Sequence, residues 1–411
     1  RPAMTGTSPP SRAPARRSWS LAALLAALVM LGPFSIDMSL PAFPAIGADF
    51  AVPPVAMQAT LSAYLFAYAF MMLWHGALSD ALGRRPVVLA GLVVYAIATL
   101  GCAIAGNIES MWLARALQGL SAGAGMVVGR ALIRDRFHGA EAQKVMSQVT
   151  LVFSIAPAVA PVAGGLLLEA FGWRSIFVTL LGFTLALFAW TAKALPETHP
   201  EAARSPLDAR SLWRNYRRVL GHPDFLLLAA VPACNFSAFF LYIAAAPAFL
   251  VGHLGVSTTG FAWLFVPLIA GVMIGAATSG RLAGRITPAA TVRLGFAFMG
   301  AAVVLSLAVA SFAPPIVALH VFPIFVYMIG SSMAHPSITV LMLDLFPSMR
   351  GLTSSLQGFI QFTLGGIVAG TLAPLLDATL VGLAGGLAAF TFASYVLWRG
   401  YQRRSRGIVT R

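Results

Sequence analysis

Between residues 20 and 398, long apolar stretches alternate with short polar ones. A bilayer-crossing helix needs roughly 20 mostly apolar residues. That length picks out twelve segments: 20–42, 54–78, 87–106, 109–133, 145–169, 173–194, 224–250, 259–280, 290–311, 315–343, 351–375 and 378–398. One polar interruption is long, 196–222, and it separates six segments from six. The pattern predicts an all-α membrane protein of twelve transmembrane helices. Two pseudo-symmetric six-helix halves, 19–195 and 223–399, are joined by a cytoplasmic loop 196–222 and flanked by cytoplasmic tails 1–18 and 400–411. A weak internal echo supports duplication: Gly83-Arg84 follows the second segment and Gly284-Arg285 follows the eighth.

Composition narrows the solvent. Hydrophobic types make up 59% of the 411 residues and charged types 10%, against about 25% charged in soluble domains. The net charge of +14 raises the question of a nucleic-acid partner, but the placement of the charges excludes one. Lys and Arg lie in the short links: Arg16 and Arg17 before the first segment, Arg84 and Arg85 after the second, Arg130, Arg134, Arg136 and Lys144 after the fourth. They recur at Arg281, Arg285 and Arg293 after the eighth and at Arg399, Arg403 and Arg404 at the end. On the other side stands essentially Arg174 alone. Basic loops face the cytoplasm, so both termini are expected there, in a bacterial inner membrane. Cys102 and Cys234 lie in separate apolar runs and read as small packing residues, with no metal site and no cofactor.

A charge inside a membrane span is costly and marks function. Of the 13 acidic residues, Asp37 alone lies well inside an apolar run, Gly32-Pro33-Phe34-Ser35-Ile36-Asp37-Met38-Ser39-Leu40-Pro41. It is the candidate proton carrier. Arg115, early in the fourth segment, is the matching cation; a guanidinium stays charged even when buried. In Gly76-Ala77-Leu78-Ser79-Asp80-Ala81-Leu82-Gly83-Arg84-Arg85-Pro86, Gly83 permits a tight turn. Asp80 can pair with Arg84 or Arg85 or cap the next helix, and Asp135 can join them as a latch. Candidate substrate contacts are Gln58, Tyr64, Tyr68, Asn235, Phe239 and Tyr242. With neither a Walker-type glycine loop nor a nucleophile elbow, no enzyme activity is expected.

The eleven-residue Gly76–Pro86 stretch resembles the signature loop of the major facilitator superfamily. Arg115-Ala116-Leu117-Gln118-Gly119 resembles that superfamily's fourth-span motif, linked there to proton transfer. Ala156-Pro157-Ala158-Val159-Ala160-Pro161-Val162-Ala163-Gly164-Gly165 is similar to its antiporter motif, with Pro157, Pro161, Gly164 and Gly165 in place and Ala160 where the family prefers Gly. Ser35 to Pro44, Gln58 to Ser62, Gly172 to Phe177 and Leu195-Pro196-Glu197-Thr198 look like the Bcr/CflA branch, named for bicyclomycin and chloramphenicol resistance. The likeness covers the N-terminal half well and the C-terminal half mainly in span layout. The resemblance implies a monomeric proton-driven efflux transporter. It would export small, largely apolar drugs, with Asp37 in proton coupling and substrate contact. A dedicated exporter of one metabolite, a sugar or amino-acid derivative, is the alternative.

Overall fold

The computed structural model describes residues 15–137, 139–201, 204 and 207–409. Residues 1–14 of the expected N-terminal tail, and the side chains of Arg16, Arg17, Arg130, Arg134 and Lys144, lie outside the described residues. Twelve long helices follow one another: α1 Ala15–Asp37, α2 Pro54–Met72, α3 Arg84–Ala103, α4 Ile108–Arg136, α5 Gly139–Phe171 and α6 Arg174–Ala194, then α7 Pro223–Ala244, α8 Ala262–Leu282, α9 Pro288–Phe312, α10 Val317–Asp344, α11 Arg350–Ile367 and α12 Leu380–Val409. Eleven spans among the described residues are long and apolar enough to cross a bilayer; the described apolar part of α5, Ile155–Phe171, is shorter. No strand occurs among the described residues.

Local chemistry sets many of the helix starts. Proline occupies the first position of α2, α7 and α9, where its missing N–H costs nothing. Asn107 accepts from the Ser110 N–H at 2.8 Å to cap α4, and Thr287 accepts from Ala290 at 3.2 Å to cap α9. Helix packing repeats with an offset of six. In the first half α1 packs on α5 and α6, α2 on α4, and α3 on α4 and α6; in the second, α7 packs on α11 and α12, α8 on α10, and α9 on α10 and α12. The halves meet through α2 against α11 and α5 against α8, pairs that the same offset interchanges. Gly83 and Gly284, the echo in sequence, both hold positive φ, 100° and 77°. Large apolar side chains such as Ile97, Leu113, Val304 and Phe392 point outward, as lipid requires.

Four boundaries differ from the sequence expectation. The first segment stops at Asp37 rather than 42, because Pro41 cannot donate to the Asp37 carbonyl; the chain turns through Leu40–Ala42 into a short helix, Phe43–Asp49. The second breaks at Leu73 and Trp74 before resuming as His75–Leu82. The central loop contains a helix, Ala209–Leu220, whose N-terminus is capped by the Asp208 carboxylate on the N–H groups of Arg210 and Ser211. The expected C-terminal tail continues α12 to Val409, and Arg404 there pairs with Asp224 of α7 at 2.9 Å.

The Ala209–Leu220 helix is anchored through Tyr216. Its hydroxyl donates to the Leu73 carbonyl at 2.6 Å, at the break after α2, where that oxygen has left the regular helix. Burial pushes the Tyr216 phenol up to about 12, so it remains a neutral donor at physiological pH. Tyr216→Phe strips this donor and should cost about 1–3 kcal/mol, read as a lowered melting temperature of the purified protein.

Candidate functional site

The site begins at the end of α1. Ser39 Oγ donates to the carbonyls of Ile36 at 3.0 Å and Ser35 at 3.3 Å, occupying last-turn acceptors that the break leaves open. Asp37 is the final helical residue and is 5% exposed. Its carboxyl has no hydrogen-bond or ion-pair partner among the described residues. Burial to this depth opposes a lone charge, and holding and releasing a proton there is the chemistry available to it.

Arg115, 1% exposed, makes no ion pair with Asp37. Its Nη1 donates to the Ser35 carbonyl at 2.8 Å and to Gln118 Oε1 at 2.9 Å. The guanidinium lies 4.9 Å from the centre of the Tyr64 ring. Gln118 donates onward to Thr99 Oγ1 at 2.8 Å, Thr99 to the Tyr95 carbonyl at 2.7 Å, and the Tyr95 and Ser35 hydroxyls are bonded to each other. A closed polar ring thus ties α4 and α3 to the last turn of α1. Ser35, Tyr95 and Thr99 were missed by sequence reasoning, since a hydroxyl in an apolar run gives no sign of its partner. Arg115 Nη2 is buried without a partner.

The candidate substrate contacts divide into groups. Tyr64 and Tyr68 stack with centroids 6.0 Å apart, and Tyr68 meets Phe362 of α11 edge-on at 4.8 Å. Phe362 packs on Phe236, and Phe236 on Phe239 at 5.1 Å. An aromatic seam therefore crosses between the halves and includes Tyr64, Tyr68 and Phe239. Asn235, on α7, is buried with Oδ1 unpaired. Gln58 lies elsewhere, at the opposite end of α2 from the Gly83 turn. Its Nε2 donates to Asp377 Oδ2 at 2.8 Å across the halves, and both line a cavity of about 590 Å³ with Phe43, Met57 and Val251. Tyr242 turns away: its hydroxyl bonds Ser306 of α9 at 3.3 Å and its ring packs on Phe249, inside the second half.

The Gly76–Pro86 loop folds around Arg84. Its guanidinium bonds Asp80, Ser79 Oγ at 2.6 Å and Asp135 Oδ2 at 3.2 Å. Arg85 instead reaches the Ala192 carbonyl at 2.7 Å. The start of α3 is served not by Asp80 but by Glu197, whose carboxylate accepts from the N–H groups of Arg84 at 3.1 Å and Arg85 at 3.2 Å. A Cβ on Gly83 would meet Glu197 Oε2 at 2.6 Å, so the turn needs glycine for space as well as for φ. Gly76 has room by comparison. Partial burial raises the Glu197 carboxyl, but the backbone donors of His199, Arg84, Arg85 and Thr198 outweigh it and hold the group below its ordinary value.

The second glycine pair governs α5, which carries Pro157 and Pro161 within its helix. A Cβ on Gly164 would lie 2.0 Å from the Met38 carbonyl oxygen, the residue after Asp37, and one on Gly165 would lie 2.5 Å from Thr258 O in the second half. Thr258 also donates to Glu169 Oε1 at 2.9 Å. Backbone contact therefore joins the break beside Asp37 to the opposite half through one turn of α5.

Comparison with known proteins accords with this arrangement. The family model described as Major Facilitator Superfamily matches residues 25–370. An uncharacterized MFS-type transporter, YdgK, of Bacillus subtilis is 33% identical over 353 residues, covering 85% of this chain and 87% of that one. A bicyclomycin resistance protein homolog of Haemophilus influenzae is 28% identical over 392 residues, covering 93% and 97%. A chloramphenicol resistance protein of Pseudomonas aeruginosa is 29% identical over 370 residues, covering 88% and 86%. Among solved structures, a D-xylose–proton symporter superimposes with a TM-score of 0.72 at 16% identity, covering 93% of this chain and 97% of that one. At that identity the likeness is one of fold.

Two outcomes follow from these contacts. Gly164→Ala forces the α1 break and α5 apart and should cost about 1–3 kcal/mol in thermal unfolding, whereas Gly182→Ala, inside α6 with nothing within 4 Å, should not lower stability and should raise it by up to about 1 kcal/mol. Glu197→Gln should lower stability by about 1 kcal/mol at pH 7. Because the folded carboxyl is held low, that contribution is complete above about pH 4.3 and is lost as pH falls through the lowered value. Melting curves of the native and variant proteins should therefore converge on acidification and stay apart at neutral pH.

Proposed function

The chain belongs to the Major Facilitator Superfamily, and we propose that it is a proton-driven exporter of small, largely apolar compounds, of which chloramphenicol and bicyclomycin are representative. The observation that carries the proposal is Asp37: a buried, unpartnered carboxyl at a helix break, followed by Met38, whose backbone lies against Gly164 of a stretch resembling the antiporter motif. The names of the bicyclomycin- and chloramphenicol-resistance relatives support the substrate class. The asymmetry of Lys and Arg supports a bacterial inner-membrane placement with both termini cytoplasmic. The protein acts as a monomer of two six-helix halves that rock about α2–α11 and α5–α8.

Substrate and proton compete. Substrate entering from the cytoplasm occupies the aromatic seam while Asp37 is ionised. After the halves reorient, a proton from outside neutralises Asp37 and releases the substrate. The neutral carboxyl then crosses back to the cytoplasmic side at little electrostatic cost and gives up its proton. Arg115, spent on the Ser35 carbonyl and Gln118, fixes the α1 turn that carries Asp37. The latch of Asp80, Arg84, Asp135 and Glu197 ties the cytoplasmic ends of α2, α3, α4 and α6 within the first half in one state and is released in the other. The driving force is sufficient: about 1.4 kcal/mol per pH unit and about 2.3 kcal/mol per charge per 100 mV.

Inverted vesicles energised by respiration and loaded with a pH-sensitive dye test this. Chloramphenicol-like compounds should dissipate the gradient with the native protein and should fall to vesicle background with Asp37→Asn. An equal response from the variant removes Asp37 as the carrier. No response of the native protein to any drug, with a response to a sugar or amino-acid derivative, replaces the drug reading with a dedicated metabolite exporter.

A further inference from the structure

Away from the seam between the halves, α9 and α12 enclose a groove of about 490 Å³ on the outer surface of the second half. Among the described residues neither helix packs substantially against the first half, so the groove is separate from the seam between the halves. Its apolar flanks, Phe298, Val304, Phe392 and Val396, are exposed along stretches long and apolar enough to span a bilayer, and they face lipid.

One end of the groove is built differently. Arg293 of α9 and Arg399 of α12 both line it, together with Gln402. Both arginines are exposed, and neither is in an ion pair among the described residues. The Arg399 guanidinium lies 5.9 Å from the Tyr395 ring centre, and that ring meets Phe296 edge-on at 5.5 Å. Trp398 lines the same groove, is 1% exposed, and its indole Nε1–H is buried without an acceptor. No Asp or Glu is among the lining residues. Two uncompensated cations and an orphan N–H donor thus converge where an apolar channel reaches the end of the span.

That end is the basic one. Arg281 and Arg285 lie in and beside the turn before α9, and Arg403 and Arg404 follow Arg399, so by charge asymmetry it sits at the cytoplasmic interface. Basic grooves between helices at this level suit phosphate-bearing head groups, and fixed Lys or Arg near the surface attract anionic lipid.

We propose that the α9–α12 groove is a binding site for one anionic phospholipid. Its phosphate is held between Arg293 and Arg399 with the Trp398 N–H and the Gln402 amide as further donors, and an acyl chain lies along Phe296, Val303 and Phe392. The site goes beyond the transport reading and does not depend on it. A bound lipid would brace α9 against α12, the pair in the second half that corresponds to α3 and α6 in the first.

Native mass spectrometry of the purified full-length protein, mixed with equal amounts of phosphatidylglycerol and phosphatidylcholine, tests the proposal. The native protein should retain phosphatidylglycerol preferentially. Arg293→Gln and Arg399→Gln should each reduce the preference about fivefold, the effect of one surface cation, and the double variant should abolish it. Trp398→Phe, which keeps the ring and removes the N–H, should reduce it as well. The charge-matched variant Arg281→Gln/Arg285→Gln, outside the groove, should keep it. Full preference in the single variants, or an equal loss in the charge-matched control, overturns the site. Complete displacement of the lipid by excess inorganic phosphate overturns the lipid assignment and leaves an anion site.

Discussion

A carboxyl group enclosed by protein at a break in a membrane helix is the constraint on which the rest depends. Irregular backbone at membrane depth is tolerated only where protein covers it, and Asp37 needs the break to be covered on every side. Gly164 of α5 lies against the Met38 carbonyl, Ser39 bonds back to the last turn of α1, and Arg115 occupies the Ser35 carbonyl. Each of these groups is small, or reaches across from another helix, because only such groups can close on exposed backbone without admitting water.

The same logic extends to the contacts between halves. At one end, Gln58 with Asp377 and Thr258 with Glu169 bridge the two halves through neutral donors on carboxylates. At the other end the contacts stay within the first half: Arg84 gathers Asp80, Ser79 and Asp135, while Glu197 holds the first N–H groups of α3. Single hydrogen bonds between halves contribute about 0.5–1.5 kcal/mol, or up to about 3 with a charged partner. Contacts of that size are suited to alternate between being made and broken as the halves rock. The glycine contacts of α5 are of another kind: backbone against backbone, they can slide but cannot be relaxed by a side-chain rotation.

Much of this was legible in the chain. The bilayer imposes a length on its helices, and eleven of the twelve apolar runs meet it among the described residues, the described apolar part of α5 being shorter; the Asp37 charge and the Gly83 turn stood out against their surroundings. Interior direction was not legible. A central membrane helix is apolar all round, so nothing in α7 showed that Asn235 keeps an unpaired oxygen while Tyr242, two turns on, bonds Ser306. Gln58 and Asp377 are 319 residues apart, and no local pattern pairs them. The helix Ala209–Leu220 and the end of α12 are too polar for a span-length criterion, although the Asp208 cap was a readable start signal. Glu197 was visible only as part of Leu195-Pro196-Glu197-Thr198; its service to the start of α3 is a tertiary fact.

The central claim is that substrate and proton exclude one another at Asp37, and proton release on binding measures it most directly. Purified protein in weakly buffered detergent solution is titrated with chloramphenicol while pH and binding are followed together. The account predicts that binding to the native protein releases protons at a pH where Asp37 is protonated, and that Asp37→Asn binds without release. Binding to the native protein with no release, or equal release from Asp37→Asn, would contradict it.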